Sequence, residues 1–309
     1  GILQFTKRVK ATLINSPPDL IYCHDADTLS IAVAMKKSHG IPFIFDMHDL
    51  HHSWIRMPSP DSIIRKLLSL KMESTMLRRA KVADAIITTS GKISNGQHDG
   101  FEQYLKSKGL DCIVVENRPL EMSIPENKSS QQEQWTIGYL GRVREVKTFT
   151  LLLQAIKLIA ANKRPKVIIA GDGIRADEVR QLMMDAVESG EIEAEVSGAF
   201  TPVQFQQLVK QLDVMFAVYP PQRGNILQGA LPVKMFDAAA NGIPSIVNSD
   251  CLMGELAESE GIGKAVVWDD AIAISNAMLE LRGTTVELKI SSQREKKRFL
   301  SAVLPLLDD

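Results

Sequence analysis

Three short strings place cations, glycines and carboxylates where an anionic ligand could be held. The first is Ile137-Gly138-Tyr139-Leu140-Gly141-Arg142-Val143-Arg144-Glu145-Val146-Lys147. An apolar run ends in Gly141, whose missing side chain permits close backbone approach, and Arg142 follows. Lys147 lies near the start of the next expected helix. Two fixed cations beside a helix N-terminus suit a diphosphate, because free N–H groups and the helix dipole add to their charge. The alternative is a surface turn with solvated charges. The second string, ALPVKMFDAAANGIP from Ala230 to Pro244, puts Pro232 at the first position of a helix, Lys234 on its first turn and Asp237 one turn later. Lys234 would meet an anion there, and the Asp237 carboxylate could accept hydrogen bonds from sugar hydroxyls. An ordinary amphipathic helix with solvated charges is the alternative. Asn241-Gly242 and then Pro244 end the helix. The third string is Ala170-Gly171-Asp172-Gly173, whose glycines would let a base or ribose lie against backbone; a plain strand-to-helix turn is the alternative.

The first half of the chain carries a different set. His24-Asp25 ends one apolar run and Asp46-Met47-His48-Asp49 ends the next. Four of the six histidines, His24, His48, His51 and His52, fall in these two loops. No HExxH or Cys/His spacing accompanies them, so no metal ligand set is expected. The three cysteines, Cys23, Cys112 and Cys251, are far apart and form no CxxC, which argues against a disulfide scaffold or zinc knuckle and fits a reducing compartment.

The elements that must position these residues alternate almost throughout. Short apolar strands are expected at Leu20–Cys23, Phe43–Phe45, Ala85–Thr88 and Ile113–Val115, with helical patterns between them such as Thr28–Ser38 and Ser62–Lys81. A polar, proline-bearing stretch from Pro119 to Gln134 reads as a linker. A second series follows, with strands at Thr136–Leu140, Val167–Ala170, Ala194–Val196, Val214–Val218, Ser245–Val247 and Ala265–Val267. The expected organisation is a shortened first domain at 1–120, a linker at 121–134, a second domain at 135–285, and a C-terminal helical segment at 286–309 packing back toward the first. Each domain is a doubly wound α/β sheet that binds ligands at the carboxyl ends of its strands, and two such domains facing each other would enclose a central cleft. Lys and Arg total 36 against 37 Asp and Glu, a net charge of -1 that supplies no global field for nucleic acid. No apolar run is long enough to span a bilayer and no signal-peptide pattern opens the chain, so a cytoplasmic protein is expected.

Taken together, the strings resemble retaining glycosyltransferase family 4, of the GT-B fold with two Rossmann-like domains. The family's Gly-Arg…Lys-Gly is similar to Gly141-Arg142…Lys147-Thr148, and its Pro-x-Lys-Leu-Phe-Glu donor segment to PVKMFDAAANGIPSI at Pro232–Ile246. Its Gly-Asp-Gly turn matches Gly171-Asp172-Gly173, and HDADTLSIAVAMKKSHGIPFIFDMHDL looks like its first-domain histidine stretches. The resemblance runs from about Asp19 to Leu256.

The resemblance implies sugar transfer from a nucleoside-diphosphate sugar to a glycan, lipid-linked or small-molecule acceptor, with retention. Arg142 and Lys147, helped by Lys234, would hold the diphosphate and stabilise it as it leaves, replacing a divalent metal, so no cofactor is expected. Asp237 would hold ribose hydroxyls, with Gly141, Gly171, Asp172 and Gly173 lining the nucleotide. His48 matches a histidine at the reaction centre, with His24, Asp25 and Asp46 on the acceptor side. Two departures stand out. The family's E-x7-E pattern needs an acid eight residues before Asp237, where this chain has Gly229. The strands expected before Asp19 are missing, so the natural chain is expected to carry more strands before Gly1, including a glycine-containing loop. A weak or inactive GT-B protein acting as a binding subunit and a sugar-nucleotide epimerase are the alternative functions. The Ser62–Lys81 helix, with six basic residues among leucines and isoleucines, is read as core-packed with a solvated basic face; peripheral contact with the inner face of a membrane is the alternative.

Overall fold

The computed structural model of the protein describes residues 2–56, 59, 61–120, 134–221, 223–290 and 292–307. Residues 121–133 of the expected linker lie outside the described residues. The chain divides into two compact units: residues 1–117 with 222–231 and 292–309, and residues 118–221 with 232–291.

In the first unit α1 (Ile2–Asn15) precedes β1 (Ile21–His24), α2 (Asp25–His39), β2 (Phe43–Met47), α3 (His51–Trp54), α4 (Ile63–Ala80), β3 (Ala85–Thr88), α5 (Phe101–Ser107) and β4 (Ile113–Val114). The four strands form a parallel sheet in the order β1-β2-β3-β4. Side chains alternate across it. Phe43, Phe45 and Met47 enter a core with Leu29, Ala32, Met76, Phe101 and Leu105. Ile44 and Ile87 point the other way, into a cluster with Phe299 and Ala302.

The second unit runs β5 (Thr136–Leu140), α6 (Lys147–Lys157), β6 (Lys166–Ala170), α7 (Ala176–Glu188), β7 (Glu193–Ser197), α8 (Pro202–Val209) and β8 (Val214–Ala217). After α9 (Gly224–Leu227), which belongs to the first unit, come α10 (Val233–Ala240), β9 (Ser245–Asn248), α11 (Leu252–Ser259), β10 (Gly263–Val266) and α12 (Ala271–Leu281). The last helix, α13 (Ser292–Val303), is grouped with the first unit and supplies the Phe299 and Ala302 of its sheet cluster. The second sheet is parallel throughout, in the order β10-β9-β8-β5-β6-β7. Ile137, Tyr139, Val167, Ile169 and Phe216 fill one face with Phe149, Leu152 and Met183. Leu140, Ile168 and Met215 fill the other with Leu212, Ala238 and Ile243. All ten expected strands are present, most within two residues of the expected bounds. The two parallel sheets with their helices are an α/β arrangement: the first runs in sequence order with α2, α4 and α5 packed on one face, and the second reverses its strand order between β5 and β8, as a doubly wound sheet does.

Local chemistry sets helix ends in the second unit. Thr201 caps α8: its hydroxyl accepts from the Gln204 backbone N–H at 3.3 Å and the Gln204 side chain accepts from the Thr201 N–H at 2.9 Å, with Pro202 opening the helix. Pro232 stands immediately before α10, one residue outside the expected helix start. The buried Arg118 guanidinium makes two hydrogen bonds to Glu260, at 2.6 and 2.5 Å, and lies 4.1 Å from the Phe236 ring. That arrangement fixes α10 against the end of α11.

The helix expected at Ser62–Lys81 is α4, with Ser62 as its N-cap. The reading of it as core-packed holds for its second half, where Met76 and Ala80 are buried. Its first half does not follow: Ile63, Ile64, Leu67, Leu68 and Leu70 are all exposed, Ile63 at 74%. Leucines and isoleucines at helical spacing identify a helix, but not whether another element covers it. Among the described residues no helix is long and apolar enough to cross a membrane.

Candidate active site

In the second unit the chain leaves β5 for β6 on one side and reaches β8 on the other, so a crevice opens at the carboxyl ends of β5 and β8. Gly141 follows Leu140, the last residue of β5, and Arg142, exposed, comes next. Lys147, also exposed, is the first residue of α6. Lys234 enters the crevice from the first turn of α10. Its Nζ lies 3.3 Å from the Tyr139 ring centroid and 5.5 Å from that of Tyr219, a cation over two aromatic faces. A β-carbon on Gly141 would stand 3.1 Å from the same Nζ. Lys234 and Gly141, far apart in sequence, are thus adjacent.

The glycines serve a purpose the sequence reading did not assign. The Val143 N–H donates to the Asp172 carbonyl at 2.8 Å and the Gly141 N–H to the Ala170 carbonyl at 2.9 Å. The loops after β5 and β6 are therefore bonded to each other. A β-carbon on Gly171 would lie 1.8 Å from the Gly141 carbonyl oxygen, and one on Gly173 would lie 2.0 Å from that of Val143. Both glycines have positive φ, +149° and +154°. Their missing side chains admit the neighbouring loop, and Asp172 between them is exposed.

Asp237 sits one turn beyond Lys234 and is partly buried. Its carboxylate makes no hydrogen bond or ion pair among the described residues, and burial alone pushes its pKa up to about 6. A carboxylate so placed gains from any ligand hydroxyl that donates to it. Tyr139 and Tyr219 were missed by the sequence reading. Tyr139 lies two residues before Gly141, on the same face by strand alternation, and so could have been found. Tyr219 could not, because it reaches Lys234 only through the fold. The Asn248 side chain holds it, accepting from the Tyr219 N–H at 2.7 Å and donating to the Tyr219 carbonyl at 2.8 Å.

In the first unit His24 ends β1 directly opposite Asp46 on β2. Asp46 is buried and accepts a hydrogen bond from the Tyr22 hydroxyl. His48 Nδ1 lies 2.9 Å from Asp46 Oδ1, and His24 Nδ1 lies 3.3 Å from Asp46 Oδ2. The contact with Asp46 raises the His48 pKa, against an opposing effect of burial. Asp25 opens α2 in the left-handed region, with φ +56°, and accepts from the His48 backbone N–H at 3.2 Å. Burial raises its pKa. His24, Asp25, Asp46 and His48 therefore form one cluster, with Tyr22 beneath it as a member the sequence did not reveal. His51 stands further off, 3.9 Å from Asp25, and His52 stacks against Tyr104.

Gly229 also has a structural account. It adopts φ +105°, and a β-carbon there would meet Gly100 Cα at 2.7 Å and the Asp99 carbonyl oxygen at 2.8 Å. The backbone packing leaves no room for an acidic side chain. In the same segment the Asn225 amide donates to Asp49 Oδ1 at 3.2 Å.

Residues 134–283 match the family described as glycosyl transferases group 1. No curated protein sequence matches the chain. Solved structures share the fold. The lipopolysaccharide outer core galactosyltransferase WaaB in its apo form is 16% identical over 98% of this chain and 80% of its own, with a TM-score of 0.60. A sucrose-phosphate synthase from Thermosynechococcus elongatus is 15% identical over 97% of this chain and 73% of its own, at 0.65. Anabaena HepE in complex with UDP-glucose is 15% identical over 98% of this chain and 80% of its own, at 0.64. Gly141, Arg142, Lys147, Gly171–Gly173, Lys234 and Asp237 thus all stand within the stretch that matches this family, on a fold shared with these solved structures.

Proposed function

We propose that the protein moves a sugar from a nucleoside-diphosphate sugar to an acceptor hydroxyl, with retention at the anomeric carbon, as the resemblance to family 4 implies. The supporting observation is Lys234 at the crevice of the second sheet, beside Gly141 and on the same helix as an unpartnered carboxylate. Arg142, Lys147 and Lys234 take the diphosphate, and their charge stabilises it as the bond to the sugar breaks, so the reaction needs no divalent metal. Asp237 accepts from the ribose hydroxyls, and Gly171, Asp172 and Gly173 border the nucleotide. His48, oriented by Asp46, serves the acceptor at the reaction centre, with His24 and Asp25 beside it. Anabaena HepE has been solved with UDP-glucose, which makes a uridine diphosphate sugar the first donor to test.

The exposed apolar side of α4 supports a peripheral membrane contact, with Lys66 and Lys71 exposed among its leucines, and a lipid-linked acceptor suits such a surface. A second reading rests on Gly229: without the first acid of the E-x7-E pattern the chain binds donor but transfers weakly, as a partner subunit.

The deciding experiment is thermal shift and calorimetry against UDP-, GDP- and ADP-sugars, followed by donor consumption with and without acceptors in the presence of a chelator. Stabilisation by one donor class with acceptor-dependent consumption is expected. Donor binding without consumption favours the partner reading. Absence of binding to every donor sinks both.

A further inference from the structure

We propose that the first unit binds a borderline divalent transition-metal ion through His24, Asp46 and His48. The proposal does not rest on the transfer reaction, whose diphosphate site lies in the second unit; with the ion bound, His48 and Asp46 are its ligands, and the acceptor role given to His48 above belongs to the metal-free chain.

The argument begins with register. β1 and β2 are parallel, and His24 stands directly opposite Asp46. Residues opposite each other share a face of the sheet, and His48, two residues past Asp46, returns to that face. Two imidazoles and a carboxylate therefore converge at the carboxyl ends of two adjacent strands. One donor atom from each, taken together, lies within 4.8 Å of the others. A tetrahedral ion with bonds of about 2.0–2.2 Å holds its ligand atoms roughly 3.3–3.5 Å apart. The shortest nitrogen-to-oxygen separations, 2.9 Å from His48 Nδ1 to Asp46 Oδ1 and 3.3 Å from His24 Nδ1 to Asp46 Oδ2, are to different carboxylate oxygens, so a small rotation of the carboxylate or of one imidazole brings one donor from each residue to that spacing.

The surroundings are those of a ligand set. Asp46 is buried and its carboxylate is held by the Tyr22 hydroxyl, the kind of outer hydrogen bond that orients a metal-binding carboxylate. His24 is the exposed arm, its side chain 61% accessible, which leaves a way in and an open position for water. Imidazole nitrogen with carboxylate oxygen suits zinc, cobalt(II) or nickel(II) rather than magnesium or calcium. No spacing motif announces this set, because His24 is brought to Asp46 and His48 only by the register in which β1 pairs with β2.

The test uses the full chain, stripped with a chelator and dialysed, and titrated with cobalt(II) by visible absorption and with zinc by calorimetry. One ion per chain is expected, with a ligand-field spectrum of low coordination number that zinc abolishes. Affinity should fall at least tenfold in His24→Ala, whose exposed side chain leaves folding intact, and in Asp46→Asn. Tyr22→Phe should weaken binding by roughly 10- to 100-fold, as removal of an outer-shell partner does. His52→Ala, a histidine outside the cluster, should bind as the parent does. No saturable binding, or binding that survives His24→Ala or depends on His52, overturns the proposal.

Discussion

Asp237 carries a pH effect whose sign follows from its burial. Its folded pKa is about 6, whereas an unfolded aspartate titrates near 3.9. Between those values the folded chain binds more protons than the unfolded one, so its contribution to stability falls as pH rises through that window. Asp237→Asn should therefore raise the Tm of the ligand-free protein near pH 7 and lose that advantage near pH 4, a comparison that scanning calorimetry makes directly. The same variant should bind nucleoside diphosphate sugar more weakly, because the ionised carboxylate is what accepts ribose hydroxyls. An unchanged Tm difference across the pH range would remove the titration argument. Arg142 and Lys147 sit on the surface, so their truncation should leave stability nearly unchanged. Loss of one charge-assisted contact, about 1.5–3 kcal/mol, predicts roughly 10- to 100-fold weaker nucleoside diphosphate binding for Arg142→Ala and for Lys147→Ala. Calorimetric titration showing parental affinity in both would move the diphosphate elsewhere.

Between elements, glycine is what lets loops touch. The turns after β5 and β6 are hydrogen-bonded along their backbones, and Gly171 and Gly173 leave space where a methyl would overlap a carbonyl oxygen. Gly229 does the same against the backbone of Gly100, with the Asp99 carbonyl close by. Gly229→Glu would restore the acid that the family pattern has eight residues before Asp237. It should nevertheless destabilise the fold, by about 2 kcal/mol or more, because a positive φ and a backbone overlap act together. Urea unfolding measures this. A Gly229→Glu protein as stable as the parent and faster in turnover would show that the segment tolerates the acid.

For the molecule as a whole, the first half of α4 is the largest departure from what its sequence suggests. An apolar surface flanked by Lys66 and Lys71 should bind anionic vesicles at low salt, bind neutral vesicles less, and release in about 0.5 M salt as charge is screened. Replacing Ile63 and Leu67 by Glu should abolish co-sedimentation without altering donor binding. Equal sedimentation of parent and variant would exclude α4 as the contact.

The alternation of apolar runs and helical patterns determined ten strands and most helices, because periods of two and 3.6 residues are local properties of the backbone. The cations of the second unit were legible for the same reason: Arg142 and Lys147 lie next to an element boundary, and Lys234 and Asp237 share one helix. Register, cover and long-range approach were not legible. His24 meets Asp46 only because β1 and β2 pair in one particular register. Lys234 lies over Tyr219 only because Asn248 holds that backbone in place. Residues 222–231 and α13 group with the first unit although the second unit's chain lies between. Each of these depends on which surfaces are buried together, and that is decided by the packing of distant segments rather than by any stretch of sequence read alone.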